Sequence, residues 1–346
     1  MSDFPFLLLM IAVPAIGAAV VAGLPKGRDE LARQISLALS GVVLLLAVLA
    51  TVAFDVDGDR FQLTTEFAWI PDFGVSVALG VDGIALVMLL LIGVLVPIVI
   101  GASWKDTAAG IGDVATDRRS MKAYFAWLLL LEAMMVGVFA ATDVFLFYVF
   151  FEAMLVPMYF MIGRFGGPRR QYAAVKFFLY SLLGGLIMLA SVIGLFVVSG
   201  TELGAGTFTW VELQRMAAGV DETTQIWLFL GFFLAFAIKA PLVPFHTWLP
   251  DAGAEAPVGA GVLLVGVLDK VGTFGFLRYC LPLFPDASRY FAPFVLVLAV
   301  IGILYAALLA MGQSDMKRLV SYTSISHFGF IALGIFAFTT EAATGA

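Results

Sequence analysis

Charge is scarce in this chain. Asp, Glu, Lys and Arg make up 13% of its 346 residues, against a soluble norm of ~25%, while 62% are hydrophobic. A soluble domain would have to expose much of that apolar surface, so that class is excluded. Cysteine is almost absent as well, and the single Cys280 excludes a disulfide framework. No Cys/His cluster has zinc or iron–sulfur spacing, and no Gly-x-Gly-x-x-Gly follows a strand, so neither a metal nor a redox cofactor is expected in this chain. The first apolar run, within "MSDFPFLLLMIAVPAIGAAVVAGLPKGR", has no Lys or Arg before it; Lys26 and Arg28 follow it. A secretory signal has the reverse order, so the run reads as a retained first span with its N-terminus outside.

What is present is hydrophobic length. A spanning helix needs ~20 mostly apolar residues. Candidate spans are 4–24, 35–54, 77–101, 122–141, 144–163, 172–199, 225–249 (broken), 258–279, 290–312 and 318–340. The fold class is therefore all-α, a polytopic transmembrane helix bundle of about ten spans within one membrane domain, 1–346. No strand alternation is sustained, which argues against a barrel. The basic residues agree with alternating loops. Twelve of the nineteen fall on one side: Lys26, Arg28, Arg33, Lys105, Arg118, Arg119, Lys122, Arg164, Arg169, Arg170, Lys317 and Arg318. Four fall on the other: Arg60, Arg215, Arg278 and Arg289. The pattern holds only if 225–257 counts as one crossing, and it places the basic loops in the cytoplasm.

The remaining three, Lys176, Lys239 and Lys270, lie inside spans. Lys176 is near a helix start, where its ammonium can snorkel to the interface. A charge in mid-membrane costs ~2.5–3.5 kcal/mol on insertion scales, so such residues are usually functional, paired or beside water. The set is Glu132, Glu152, Lys239, His246, Asp269, Lys270 and His327, which suits exchangeable protons better than metal ligands. Alternatives stand beside several members. Glu132 could pair with a lysine for assembly, His246 could cap a broken helix, and His327 could be a satisfied core histidine. Asp269 and Lys270 are adjacent and point ~100° apart on a helix, so they need not touch.

"FAIKAPLVPFHTWLPDAGAEAP", residues 236–257, interrupts this pattern with four prolines. Pro241 cannot donate to Ala237, nor Pro244 to Ala240, so a helix must break just after Lys239. Irregular backbone at that depth is tolerated only when buried in protein or lining water, and transporters place ion sites at such breaks. A carboxylate ~4 Å from an ammonium gains roughly 4 kcal/mol at an effective dielectric of ~20. A proton crossing ~100 mV gains ~2.3 kcal/mol. Coupling and driving force are of similar size, as a pump requires.

"FLFYVFFEAMLVPMYFMIG", "FAIKAPLVPFHTWLPDAGAEAPVGAGVLLVGVLDKVGTFGFLR" and "SDMKRLVSYTSISHFGFIALG" together resemble the antiporter-like membrane subunits of respiratory complex I, the NADH–quinone oxidoreductase. The "EAMLVPM" form resembles the subunit M, or mitochondrial chain 4, branch of that family. The resemblance covers most of residues 120–340. It implies an antiporter-like fold of fourteen spans with two inverted five-helix repeats. Residues 122–280 would be the first repeat, after N-terminal spans in 1–121, and 290–346 the start of an incomplete second one. It implies that Glu152, Lys239, Lys270 and His327 carry protons; Glu132, His246 and Asp269 are placed in the same relay by the intramembrane charge pattern, not by the resemblance. NADH, FMN, iron–sulfur clusters and quinone would belong to partner subunits. Partners would be the other membrane and peripheral subunits and the lipid bilayer, with no nucleic acid, and the location the cytoplasmic membrane.

Three departures stand out. Gly253 occupies a position where the family usually has histidine. Asp269 replaces a usually apolar residue. The chain also stops after about ten spans, which reads as a fragment. A subunit of a multisubunit sodium/proton antiporter or of a membrane-bound hydrogenase would share Glu152, Lys239 and Lys270; the methionine-rich "EAMLVPMYFMIG" favours the complex I reading. A passive scaffold or a solute carrier fits less well, because the intramembrane polar set is almost wholly titratable.

Overall fold

A computed structural model of the chain describes residues 4–25, 27–104 and 121–339. Lys26, Lys105, Arg118 and Arg119 lie outside the described residues, as does the end of the span expected at 318–340. Among the described residues, ten helices are long and apolar enough to cross a membrane. The chain forms two compact units, both discontinuous in sequence. One comprises Met1–Trp69, Ser76–Val175 and Glu255–Val267; the other comprises Ile70–Val75, Lys176–Ala254 and Leu268–Ala346.

The first unit is built around one helix. Its elements are α1 (Phe6–Gly23), α2 (Asp29–Ala53), strands β1 (Gln62–Ile70) and β2 (Val75–Val81), α3 (Gly83–Ala102), α4 (Met121–Ala140), α5 (Val144–Ala153) and α6 (Leu155–Phe165). Helix α4 touches α1, α2, α3, α5 and α6, which explains why its sequence is apolar on every face. Lys122, in its first turn, donates to the carbonyls of Ala22 and Leu24 at the end of α1. A cation there complements the negative end of a helix.

The expected span at 77–101 is corrected by the hairpin. Residues 77–81 belong to β2, and the helix starts at Gly83, where the Asp82 side chain accepts the N–H of Ala85. No strand was expected, yet β1 and β2 pair through a turn, Pro71-Asp72-Phe73-Gly74, with Gly74 at φ +62°. Proline entry and a left-handed glycine are the turn's own signature, masked here by apolar strands that read as one end of a span. The hairpin is stitched to the α4–α5 turn. Leu79 bridges Ala141, and Thr142 N–H donates to Ala78 at 3.0 Å. The buried Asp143 carboxylate accepts from Ser76 N–H at 3.2 Å and caps α5 through Leu146 N–H at 2.9 Å. Burial raises the Asp143 carboxyl above the usual range, against the pull of those two N–H donors.

From Arg170 runs the 34-residue helix α7 (Arg170–Leu203), whose course from Lys176 belongs to the second unit. There follow α8 (Trp210–Ala217), α9 (Glu222–Lys239) and α10 (Trp248–Glu255). Next comes the crossing Val258–Leu283, comprising α11 (Val258–Leu263), α12 (Lys270–Gly275) and α13 (Leu281–Leu283), joined by π-helical turns at Leu264–Leu268 and Phe276–Cys280. Helices α14 (Pro285–Met311) and α15 (Met316–Phe336) form a hairpin, with Asp315 capping α15 through the N–H groups of Lys317 and Arg318. Phenylalanines cement α9 to its neighbours. Phe232 meets Phe284 at 5.5 Å, and Phe233 and Phe236 meet Phe276 at 5.5 and 5.9 Å between ring centroids.

Candidate ion-transfer site

The break after Lys239 is present where the prolines require it. Helix α9 ends at Lys239, residues 240–247 are unwound, and α10 starts at Trp248; the Val243–Pro244 peptide is cis. Two carbonyls released by the break are taken up by protein donors. Leu242 N–H reaches Ala237 at 2.9 Å, and the Trp248 indole N–H reaches Ile238 at 2.9 Å. The role of Trp248 was not legible, because a tryptophan in an apolar run reads as packing rather than as a donor.

Lys239 is buried to 1% exposure. Gly272 brings the next crossing against it: a Cβ there would stand 2.5 Å from Ala240 N and 2.6 Å from Phe236 O. Only glycine permits so close a backbone approach. Three residues earlier is Asp269, fully buried, with no hydrogen bond to either carboxylate oxygen among the described residues and with Lys239 and Lys270 as cations that act on it. The structure thus brings Lys239, Asp269 and Lys270 into one electrostatic cluster. The Lys270 ammonium also lies 6.0 Å from the centre of the Phe328 ring, a cation–π distance. The cluster sits between the two π-helical turns, which widen a helix locally and occur often at functional sites.

His246 is buried in the unwound stretch, with its ring 5.3 Å from that of Tyr305 and within the field of Lys176. His327, one residue before Phe328, is exposed among the described residues. In the other unit, Glu132 on α4 is fully buried and, among the described residues, neither of its carboxylate oxygens has a hydrogen-bond partner. Glu152 is half-buried and acts electrostatically on Tyr148 one turn before it. Two residues after Glu152, at Met154, the helix kinks between α5 and α6. Pro157 cannot donate to Ala153, which accounts for the kink.

Lys176 has a partner that snorkelling did not anticipate. Its ammonium is 2.7 Å from Asp251, whose other oxygen is 3.2 Å from Arg318. Asp251 lies 75 residues from Lys176 and 67 from Arg318, so no local spacing announces the triad. Among the described residues, no group of three or more His, Cys, Asp or Glu side chains could hold a metal ion.

Residues 141–346 match the family model described as NADH:quinone oxidoreductase/Mrp antiporter, transmembrane. An NADH-quinone oxidoreductase subunit M of Mycobacterium tuberculosis is 47% identical over 369 residues, covering 100% of this chain and 66% of that relative's length. A chain of respiratory complex I from Thermus thermophilus with bound NADH superposes with a TM-score of 0.83 at 34% identity, over 98% of this chain and 66% of that one. The Mrp complex from Dietzia superposes with a TM-score of 0.79 at 24% identity, over 97% of this chain and 34% of that one, a likeness of fold. The broken helix, the buried Lys239 and these matches agree: the chain belongs to the NADH:quinone oxidoreductase/Mrp antiporter family of transmembrane proteins.

Proposed function

We propose that this chain is a proton-translocating membrane subunit of an NADH–quinone oxidoreductase. Protons pass through a Glu/Lys/His relay while partner subunits transfer electrons from NADH to quinone. The observation that carries this reading is the pairing of buried Lys239 and Asp269 with the half-buried Lys270 beside an opened helix. A lone buried carboxylate there would be costly to ionise; two lysines supply a compensating charge that can move. Lys239 and Lys270 act as proton carriers and Asp269 adjusts their charge. Glu132, Glu152, His246 and His327 are the further carriers assigned to the relay.

The names of the relatives support the assignment to this complex. The cofactors NADH, FMN, iron–sulfur clusters and quinone belong, in this reading, to other subunits of the assembly. The N-terminus is assigned to the outer side of the cytoplasmic membrane, on the distribution of Lys and Arg between loops. A second reading, a subunit of a multisubunit sodium/proton antiporter, draws on the breadth of the family description and the shared fold.

The test is purification of the native assembly from its membrane, identification of its subunits, and reconstitution in vesicles. Proton uptake driven by NADH oxidation with a quinone acceptor is the expected result. Proton uptake driven by a sodium gradient, with no NADH-oxidising subunits present, would replace this reading with the second.

A further inference from the structure

Outside the cluster on Lys239, charges of three helices converge at α10. Asp251 takes a cation on each carboxylate oxygen: Lys176 of α7 at 2.7 Å and Arg318 of α15 at 3.2 Å. The three side chains are 16%, 19% and 26% exposed, so the pairs are partly screened and partly desolvated. Two further contacts join α10 to the start of α15. Lys317 Nζ donates to Ala254 O at 3.3 Å, and a Cβ at Gly253 would collide with the Ser321 hydroxyl oxygen, so a side chain there requires that hydroxyl to turn away.

Helix α10 has eight residues, too few to hold itself together in isolation. Its N-terminal end carries Trp248, which caps the carbonyl of Ile238 one residue before Lys239. The unwound stretch with His246 hangs between α9 and α10, and Tyr180 of α7 reaches Thr247 at 2.9 Å. Whatever fixes α10 fixes the geometry of the break.

We propose that Asp251 is a positioning residue for the ion transfer assigned above. By pairing with Lys176 and Arg318 together, it seats α10 so that Trp248 closes the Ile238 carbonyl and the unwound stretch keeps Lys239 buried. A carboxylate shared between two cations on two helices is a latch with two arms. Loss of either arm loosens the seat, and loss of the carboxylate leaves two like charges facing a vacated partner.

The proposal rests on the ion-transfer reading for its purpose but not for its geometry, and the test separates them. The assembled membrane complex carries Ala252→Cys, a fully buried position on α10, in a Cys280→Ala background. Labelling of that thiol by a water-soluble maleimide measures seating without reference to transport. Asp251→Asn is expected to accelerate labelling at least about tenfold and to slow proton uptake by a similar factor. Asp251→Glu, which keeps the charge, is expected to stay within about threefold of the parent in both. Arg318→Gln and Lys176→Gln each remove one arm and are expected to accelerate labelling by less than Asp251→Asn. Should Asp251→Asn fail to assemble, the two single-arm variants decide: unchanged labelling in both refutes the latch. Labelling equally fast in Asp251→Glu and Asp251→Asn also refutes it. Fast labelling in Asp251→Asn, in an assembly whose parent moves no protons, would sustain the latch and remove the transport reading instead.

Discussion

Among the described residues, prolines interrupt a helix beside Glu152 and another beside Lys239, and they interrupt them differently. At α5–α6 a single proline, Pro157, leaves one bond unmade, and the chain recovers helical form after one residue, Met154. At α9–α10 two prolines, Pro241 and Pro244, lie three residues apart, and the backbone stays unwound over 240–247. The number of missing N–H donors within one turn separates a kink from an opening. Consequences for the neighbouring charge follow. Glu152 stays in a continuous half-buried wall, while Lys239 becomes the last helical residue before irregular backbone and is buried. A kink aims a side chain; an opening gives it a different environment.

The largest expected effect tests the opening. Lys239→Ala should lower proton uptake by about 10²-fold in an assembled complex, the lower range for a positioned proton-transfer group. Uptake at the parental rate would detach the opening from function. Glu152→Gln should follow, with a loss of about tenfold or more, because a kinked helix still needs its titratable group. A smaller loss than this would mark Glu152 as part of the wall only. Asp269→Ala should alter the pH dependence of turnover rather than abolish it, since Asp269 interacts electrostatically with both lysines; a superimposable pH profile would take Asp269 out of the cluster. Trp248→Phe leaves the Ile238 carbonyl without its indole donor, and should destabilise the chain by about 1–3 kcal/mol in thermal unfolding of the purified assembly. The smallest effect belongs to the kinked helix. Asp143→Ala removes the cap of α5, a loss of about 1 kcal/mol in the same measurement.

The sequence made the break legible because proline chemistry is local: Pro241 and Pro244 forbid specific bonds wherever the chain is placed. The crossings were legible for the same kind of reason, since length and hydropathy act over ~20 contiguous residues. What failed to show was tertiary. The strand Val75–Val81 is as apolar as the helix it precedes, so periodicity alone merged the two. Asp251 stood in a motif but without a visible partner, because its cations come from distant helices. The cluster itself was half legible. Asp269 and Lys270 are neighbours in sequence, but their closeness to Lys239 depends on Gly272 admitting one backbone against another.

The stitched turn at Asp143 has a mechanical consequence. One end of α5 is tied to a β-hairpin through Ser76, Thr142 and Leu79, whereas its other end meets the bend at Met154. These ties fix the base of α5. Glu152, about two turns along the same helix, is therefore presented from a fixed base.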